Sequence, residues 1–190
     1  VGLRDVLFGR KQLKDAAGER LFALSTAAVT LDAELGLKPA GAAGICFKPM
    51  SSGDFARAES DVQQLLDAVA ADCGSTISRR EDEYGYAWIV VRDPELEDLV
   101  GGVHTVSSEL EAKGFGPQLL AAVFRFEGRD AAPVYFIYGY KRGAFWPFVP
   151  KGEGQDRDNA RELELKAKLE GELPIEQDLS RWFATYGAPV

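Results

Sequence analysis

The most constraining feature of the chain is the stretch from Gln118 to Tyr140. It opens with an uninterrupted apolar run, Leu119 to Phe124, and continues through Phe126 to Gly128-Arg129-Asp130. A second alternating run then extends from Val134 to Tyr140. Two β-prone runs separated by a short Gly/Asp-containing break predict an antiparallel hairpin. Its faces are set by the two-residue period, which groups Leu120, Ala122, Phe124 and Phe126 on one strand and Val134, Phe136, Tyr138 and Tyr140 on the other. The apolar run is about a third of the length that a membrane-spanning helix needs.

Elements predicted around this hairpin fill out an alternating pattern. Leu21, Leu24, Ala28, Leu31 and Leu35 recur at helical spacing, and the ending Leu35-Gly36-Leu37-Lys38-Pro39 supplies a left-handed glycine, an apolar residue to fold back and a proline stop. Gly44 to Met50 reads as a strand near a sheet edge, because Pro49 has no ladder donor. A helix capped from Ser51, Ser52 or Asp54 would bury Ala58, Val62, Leu65, Leu66 and Val69. A hairpin pairs Thr76 to Arg80 with Tyr84 to Val91 across the acidic turn Glu81-Asp82-Glu83. Its second strand is apolar on both faces. Pro94 in a first turn opens a helix with Leu96, Leu99, Val103, Val106 and Leu110 inward and a stop at Gly114. Asp156 or Asp158 caps a last helix, Asn159 to Glu170, with Glu162/Lys166 and Glu164/Lys168 as ion pairs. Leu179, Trp182 and Phe183 belong to an amphipathic tail. The expected class is therefore α+β, a mainly antiparallel sheet of about five strands packed with helices. The expected organisation is an N-terminal amphipathic segment over residues 1–18 and a single α+β domain over 19–190.

Charge and chemistry narrow the function. With 22 Lys+Arg against 30 Asp+Glu the net charge is −8, which disfavours nucleic acid as a partner. Cys46 and Cys73 are far apart and form no CxxC, as expected for two buried thiols in a reducing compartment. One histidine and two distant cysteines cannot build a four-coordinate N/S metal site, so no metal and no cofactor are expected. His104 shares a helix face with Glu97, Gly101, Ser108 and Glu111, and no nucleophile elbow or phosphate-binding glycine loop accompanies it. No catalytic residue is assigned. The N-terminus lacks a signal-peptide pattern, which points to the cytoplasm.

Two segments suggest binding. In Leu3, Arg4, Val6, Leu7, Phe8, Arg10 and Lys11, apolar and basic residues combine in a short helix suited to weak peripheral contact with anionic lipid or an acidic partner. Of these, Leu3, Arg4, Leu7, Arg10 and Lys11 are the candidate contacts. The second segment, Tyr135 to Pro150, holds seven aromatic and two basic residues in sixteen positions. Lys141, Arg142, Phe145 and Trp146 are its candidate partner-binding group, with the aromatics as anchors and Gly143 permitting a sharp turn. The same aromatics also suit a sheet core.

The run Tyr140-Lys-Arg-Gly-Ala-Phe-Trp-Pro-Phe-Val-Pro150 resembles a signature of the PspA-associated PspAB family. Gly2 to Gly9, Leu21 to Leu31, Gly114 to Leu120 and Gly171 to Pro189 resemble other parts of that family. The resemblance implies an accessory role beside PspA, a membrane-associated phage-shock protein that protects a stressed envelope, and it implies no catalytic residues. The element order is similar to type III secretion chaperone-like and YbjN-like domains, which present a sheet and helices to partner proteins. The expected function is that of a non-enzymatic, cytoplasmic accessory protein, active at most at the inner face of the membrane. The alternative is an enzyme using carboxylates with Lys141 and Arg142 on an anionic substrate. Oligomeric state is not legible from the sequence.

Overall fold

The computed structural model describes residues 18–48, 64, 67, 68, 74–128, 132–152 and 154–190. The helix proposed from Ser51 onward falls largely outside them, and Cys73 and the turn residues Arg129 and Asp130 are outside as well. Gln64, Asp67 and Ala68 are helical and exposed.

The first helical stretch runs through a 3-10 turn at Arg20–Phe22, the α-helix α1 (Ala23–Thr26) and a π-type turn at Thr30–Glu34. Leu21, Leu24, Leu31 and Leu35 face the core as the spacing requires. Ala27 is buried there while Ala28 is only partly covered, because the change of helical pitch rotates the inward stripe. Gly36 has φ +64°. The Leu37 N–H donates to the Leu31 carbonyl at 2.8 Å, and the Leu37 side chain is buried, so the helix ends as its sequence demands.

Six strands follow: β1 (Lys38–Phe47), β2 (Thr76–Glu81), β3 (Ala87–Arg92), β4 (Leu119–Glu127), β5 (Pro133–Gly139) and β6 (Ala144–Phe148). They form one antiparallel sheet in the order β2-β3-β1-β4-β5-β6. The protein is thus α+β, with two corrections to the sequence reading. First, β1 is a central strand rather than an edge. It ends at Phe47, ahead of Pro49, and Pro39 precedes Ala42, where pairing with β3 begins, so neither proline has to donate to both neighbours. Second, Ala144 to Phe148 is a sixth strand. Phe145 turns its N–H and carbonyl outward, to Pro174 O and from Glu176 N at 2.8 Å each. Pro147, two residues on, points its nitrogen the same way, so the ladder to β5 loses no donor. A two-stranded ribbon, β7 (Pro150–Lys151) with β8 (Asp156–Arg157), lies outside the sheet.

Register divides the sheet into two covered faces. Ala43, Ile45, Ile89, Val91, Phe124 and Phe136 lie on the face under the first helical stretch and α2 (Leu96–Ala112). α2 begins at Leu96 after an extended Glu95, which places Pro94 just before the helix instead of in its first turn. Asp93 links this start to Ser75, just ahead of β2, by accepting from the Glu95 N–H and the Ser75 hydroxyl. Leu96, Leu99, Val103, Val106 and Leu110 all point inward, and Gly114 ends the helix with φ +92°.

The opposite face carries Trp88, Val90, Val123, Ile137, Trp146 and Phe148, and is crossed by the C-terminal arm, residues 174–190. Tyr186 stands edge-on to Phe148 at 4.9 Å, and Gly44 leaves room for Val190 and Trp88: a Cβ there would lie 2.8 Å from the Val190 side chain. Arg125 donates to the Val190 carbonyl.

Cys46 sits on this second face, where burial, with Asp82 nearby, pushes its thiol from an ordinary 9.0 up to about 12. Native Cys46 is therefore expected to resist iodoacetamide at mildly alkaline pH and to react once the chain unfolds. Above pH 9.0 the unfolded chain releases this proton while the folded chain retains it until about 12. The group's contribution to stability is thus complete below pH 9.0 and is lost across that window, a decline that urea titrations at rising pH measure.

Candidate functional site

The candidate site is built on the β5–β6 turn. The Arg142 and Gly143 N–H groups both return to the Gly139 carbonyl, at 3.1 and 2.9 Å, and Gly143 takes φ +63°, the conformation its lack of a Cβ allows. The tight turn lifts Lys141 and Arg142 into solvent.

The four residues expected to act together are separated by the sheet. Phe145 is 0% and Trp146 6% exposed. Phe145 packs on Tyr138 on the helix-covered face, with ring centroids 4.8 Å apart. Trp146 lies on the opposite face over Gly139, where a Cβ would come within 3.0 Å of its ring, and its Nε1 donates to the Phe183 carbonyl at 2.9 Å. Both aromatics are core residues, so the surface that they offer a partner is small, and the exposed part of the group is Lys141 and Arg142.

Arg142 is joined to the C-terminal arm. Its Nε lies 3.5 Å from Glu176, whose carboxylate is also 3.9 Å from Arg181 Nη1. Arg181 Nε holds Asp178 at 2.9 Å. The Ser180 hydroxyl bonded to Asp178, together with Arg181 and Arg142 nearby, holds the Asp178 carboxyl below its ordinary value. Asp178 also caps the 3-10 turn Leu179–Arg181 through the Ser180 N–H. The turn leaves Leu179 and Phe183 exposed while Trp182 is buried, its Nε1 donating to the Glu176 carbonyl.

The other residues singled out in the sequence have structural positions. His104 is half-buried, with its ring 4.9 Å from that of Phe22 and its Nε2 3.5 Å from the Ser108 hydroxyl. His104→Ala is expected to cost about 1 kcal/mol in urea unfolding, the value of a partly buried ring contact. Asp82 in the acidic turn organises it: one carboxylate oxygen accepts from the Tyr84 and Tyr86 N–H groups, the other from Trp88 Nε1 at 2.8 Å. Leu3, Arg4, Leu7, Arg10 and Lys11 lie outside the described residues. Among the described residues no cluster of three or more His, Cys, Asp or Glu side chains is arranged to hold a metal ion, and no helix is long and apolar enough to cross a membrane.

Sequence reasoning missed a buried ion pair behind the site. Asp158 caps the helix α3 (Asn159–Leu169) by accepting from the Arg161 N–H. Glu162, expected to pair with Lys166 on the surface, is instead 2% exposed. It accepts from the Val149 N–H at 2.9 Å and from Arg157 Nε at 3.0 Å, and its other oxygen forms an ion pair with Arg157 Nη2 at 3.0 Å. Lys166 pairs with Glu170, and Glu164 with Arg161. Helical spacing carried a hint, since Glu162 stands three residues before Leu165 on the inward face.

The architecture and site define a small α+β protein whose candidate functional surface is a charged turn joined to a C-terminal arm. The chain belongs to the PspAB family, PspA associated protein B, whose family model matches residues 1–190. Among curated proteins and among solved structures no match to the chain was found, so the likeness to type III secretion chaperone-like and YbjN-like domains rests on element order alone.

Proposed function

We propose that the chain is a non-enzymatic accessory protein of a PspA-type envelope-stress response, acting in the cytoplasm, or peripherally at the inner face of the membrane, by binding PspA or a protein of the same response. The observation that carries this reading is the match of the whole chain to a family described by its association with PspA. An exposed cationic turn on a chain of net charge −8 supports it, because such local contrast of charge favours recognition of another protein's acidic surface over self-association of like-charged copies.

The test is sedimentation velocity of the purified chain with purified PspA. A faster-sedimenting complex is expected; two independent boundaries at all micromolar mixtures would overturn the reading. A thermal-shift panel with nucleotides and divalent metals addresses the enzymatic alternative, since a ligand that binds the native state raises the midpoint and a strong response would argue for chemistry.

A further inference from the structure

We propose that the β5–β6 turn and the C-terminal arm form one composite docking surface, and that its occupant is an acidic amphipathic segment of a partner protein. The inference deepens the reading above and rests on it, taking PspA as the partner.

The cationic half is Lys141, Arg142 and Arg181. Arg142 approaches Glu176 through Nε at 3.5 Å and stands near Asp178, yet its side chain is 45% exposed, and Lys141 is exposed beside it. Glu176 is largely buried and lies between the two guanidinium groups, and Asp178 is held by Arg181, so three cations face two carboxylates that are already engaged. The Arg142 guanidinium is therefore held beside Glu176 while it remains open to solvent, where an incoming carboxylate can reach it.

The apolar half is Leu179 and Phe183, 50% and 67% exposed. Their backbone is fixed from beneath: Arg157 Nη1 donates to the Trp182 carbonyl at 2.7 Å and Trp146 Nε1 to the Phe183 carbonyl at 2.9 Å. A large aromatic side chain left in water on a pinned backbone has little ordering entropy still to lose on binding. Arg181 lies between these two residues in sequence and reaches Glu176, which joins the halves. A free phosphate or a lipid headgroup would use only the cations. A protein segment with carboxylates on one side and apolar residues on the other would use the whole surface.

Calorimetric titration of full-length PspA into the purified chain tests this. Lys141→Ala combined with Arg142→Ala, and separately Phe183→Ser, are each expected to weaken binding about tenfold or more, while Lys38→Ala, exposed at the end of the sheet away from the turn, leaves it unchanged. Added salt should weaken binding of the wild type and of Phe183→Ser, and have much less effect on the double charge variant. Urea midpoints show whether each variant remains folded; should the double variant be destabilised, Lys141→Ala alone and Phe183→Ser carry the test. Wild-type binding that survives both changes in folded protein overturns the surface and leaves the general reading standing. So does a loss confined to the charge variant, which would mark a simple anion site. Absence of any wild-type binding overturns both.

Discussion

Glu162→Ala is expected to destabilise the fold by about 3–5 kcal/mol, the cost of breaking a buried ion pair by removing one partner. The carboxylate satisfies the Val149 N–H where β6 ends and the guanidinium of Arg157, which in turn holds the Trp182 carbonyl and lies 5.4 Å over the Phe148 ring. Without Glu162, Arg157 keeps its charge in a mostly covered position and the Val149 N–H loses its acceptor. The check is a urea titration beside Glu164→Ala, whose exposed pair with Arg161 should contribute no more than about 0.5 kcal/mol. Equal midpoints for the two variants would show that the buried pair contributes nothing special. Replacing Glu162 and Arg157 together by apolar residues of similar size should recover much of the loss, since the penalty lies in the unpaired charge.

The second large effect is expected at Trp146. Trp146→Ala removes a buried indole that packs over Gly139 and tethers the arm through Phe183, so a loss of about 3–5 kcal/mol is expected. Trp146→Phe retains most of the packing and loses only the hydrogen bond, about 1 kcal/mol. Near-UV circular dichroism and urea midpoints on both variants separate the two contributions. A near-neutral Trp146→Ala would mean that this face of the sheet is not a packed core.

Neither position is legible from local pattern, whereas other features are. The Gly36 and Gly114 helix ends, the inward stripe of α2, both long hairpins and the Asp158 cap were legible, because each depends on side chains within a few residues of one another. The sixth strand was not. An edge strand covered on both faces shows no polar alternation, and Pro147 is acceptable only because its nitrogen points away from β5. Of the candidate site, the Lys141-Arg142-Gly143 turn was legible from the glycine and its flanking strands. The positions of Phe145 and Trp146 were not, since an aromatic run reads alike as anchor and as core.

The α+β class, the Gly36 and Gly114 helix ends and the family follow from local periodicity, turn chemistry and recurring short motifs. The roles of the charged residues come from long-range packing. Glu162 was drawn inward because Arg157 and the Val149 N–H meet it across the end of β6, and Glu176 came between Arg142 and Arg181 because residues 174–176 pair with the outer edge of that strand. An ion pair depends on distance in space, and these partners are brought together by the strand order and the path of the arm, which no local pattern encodes.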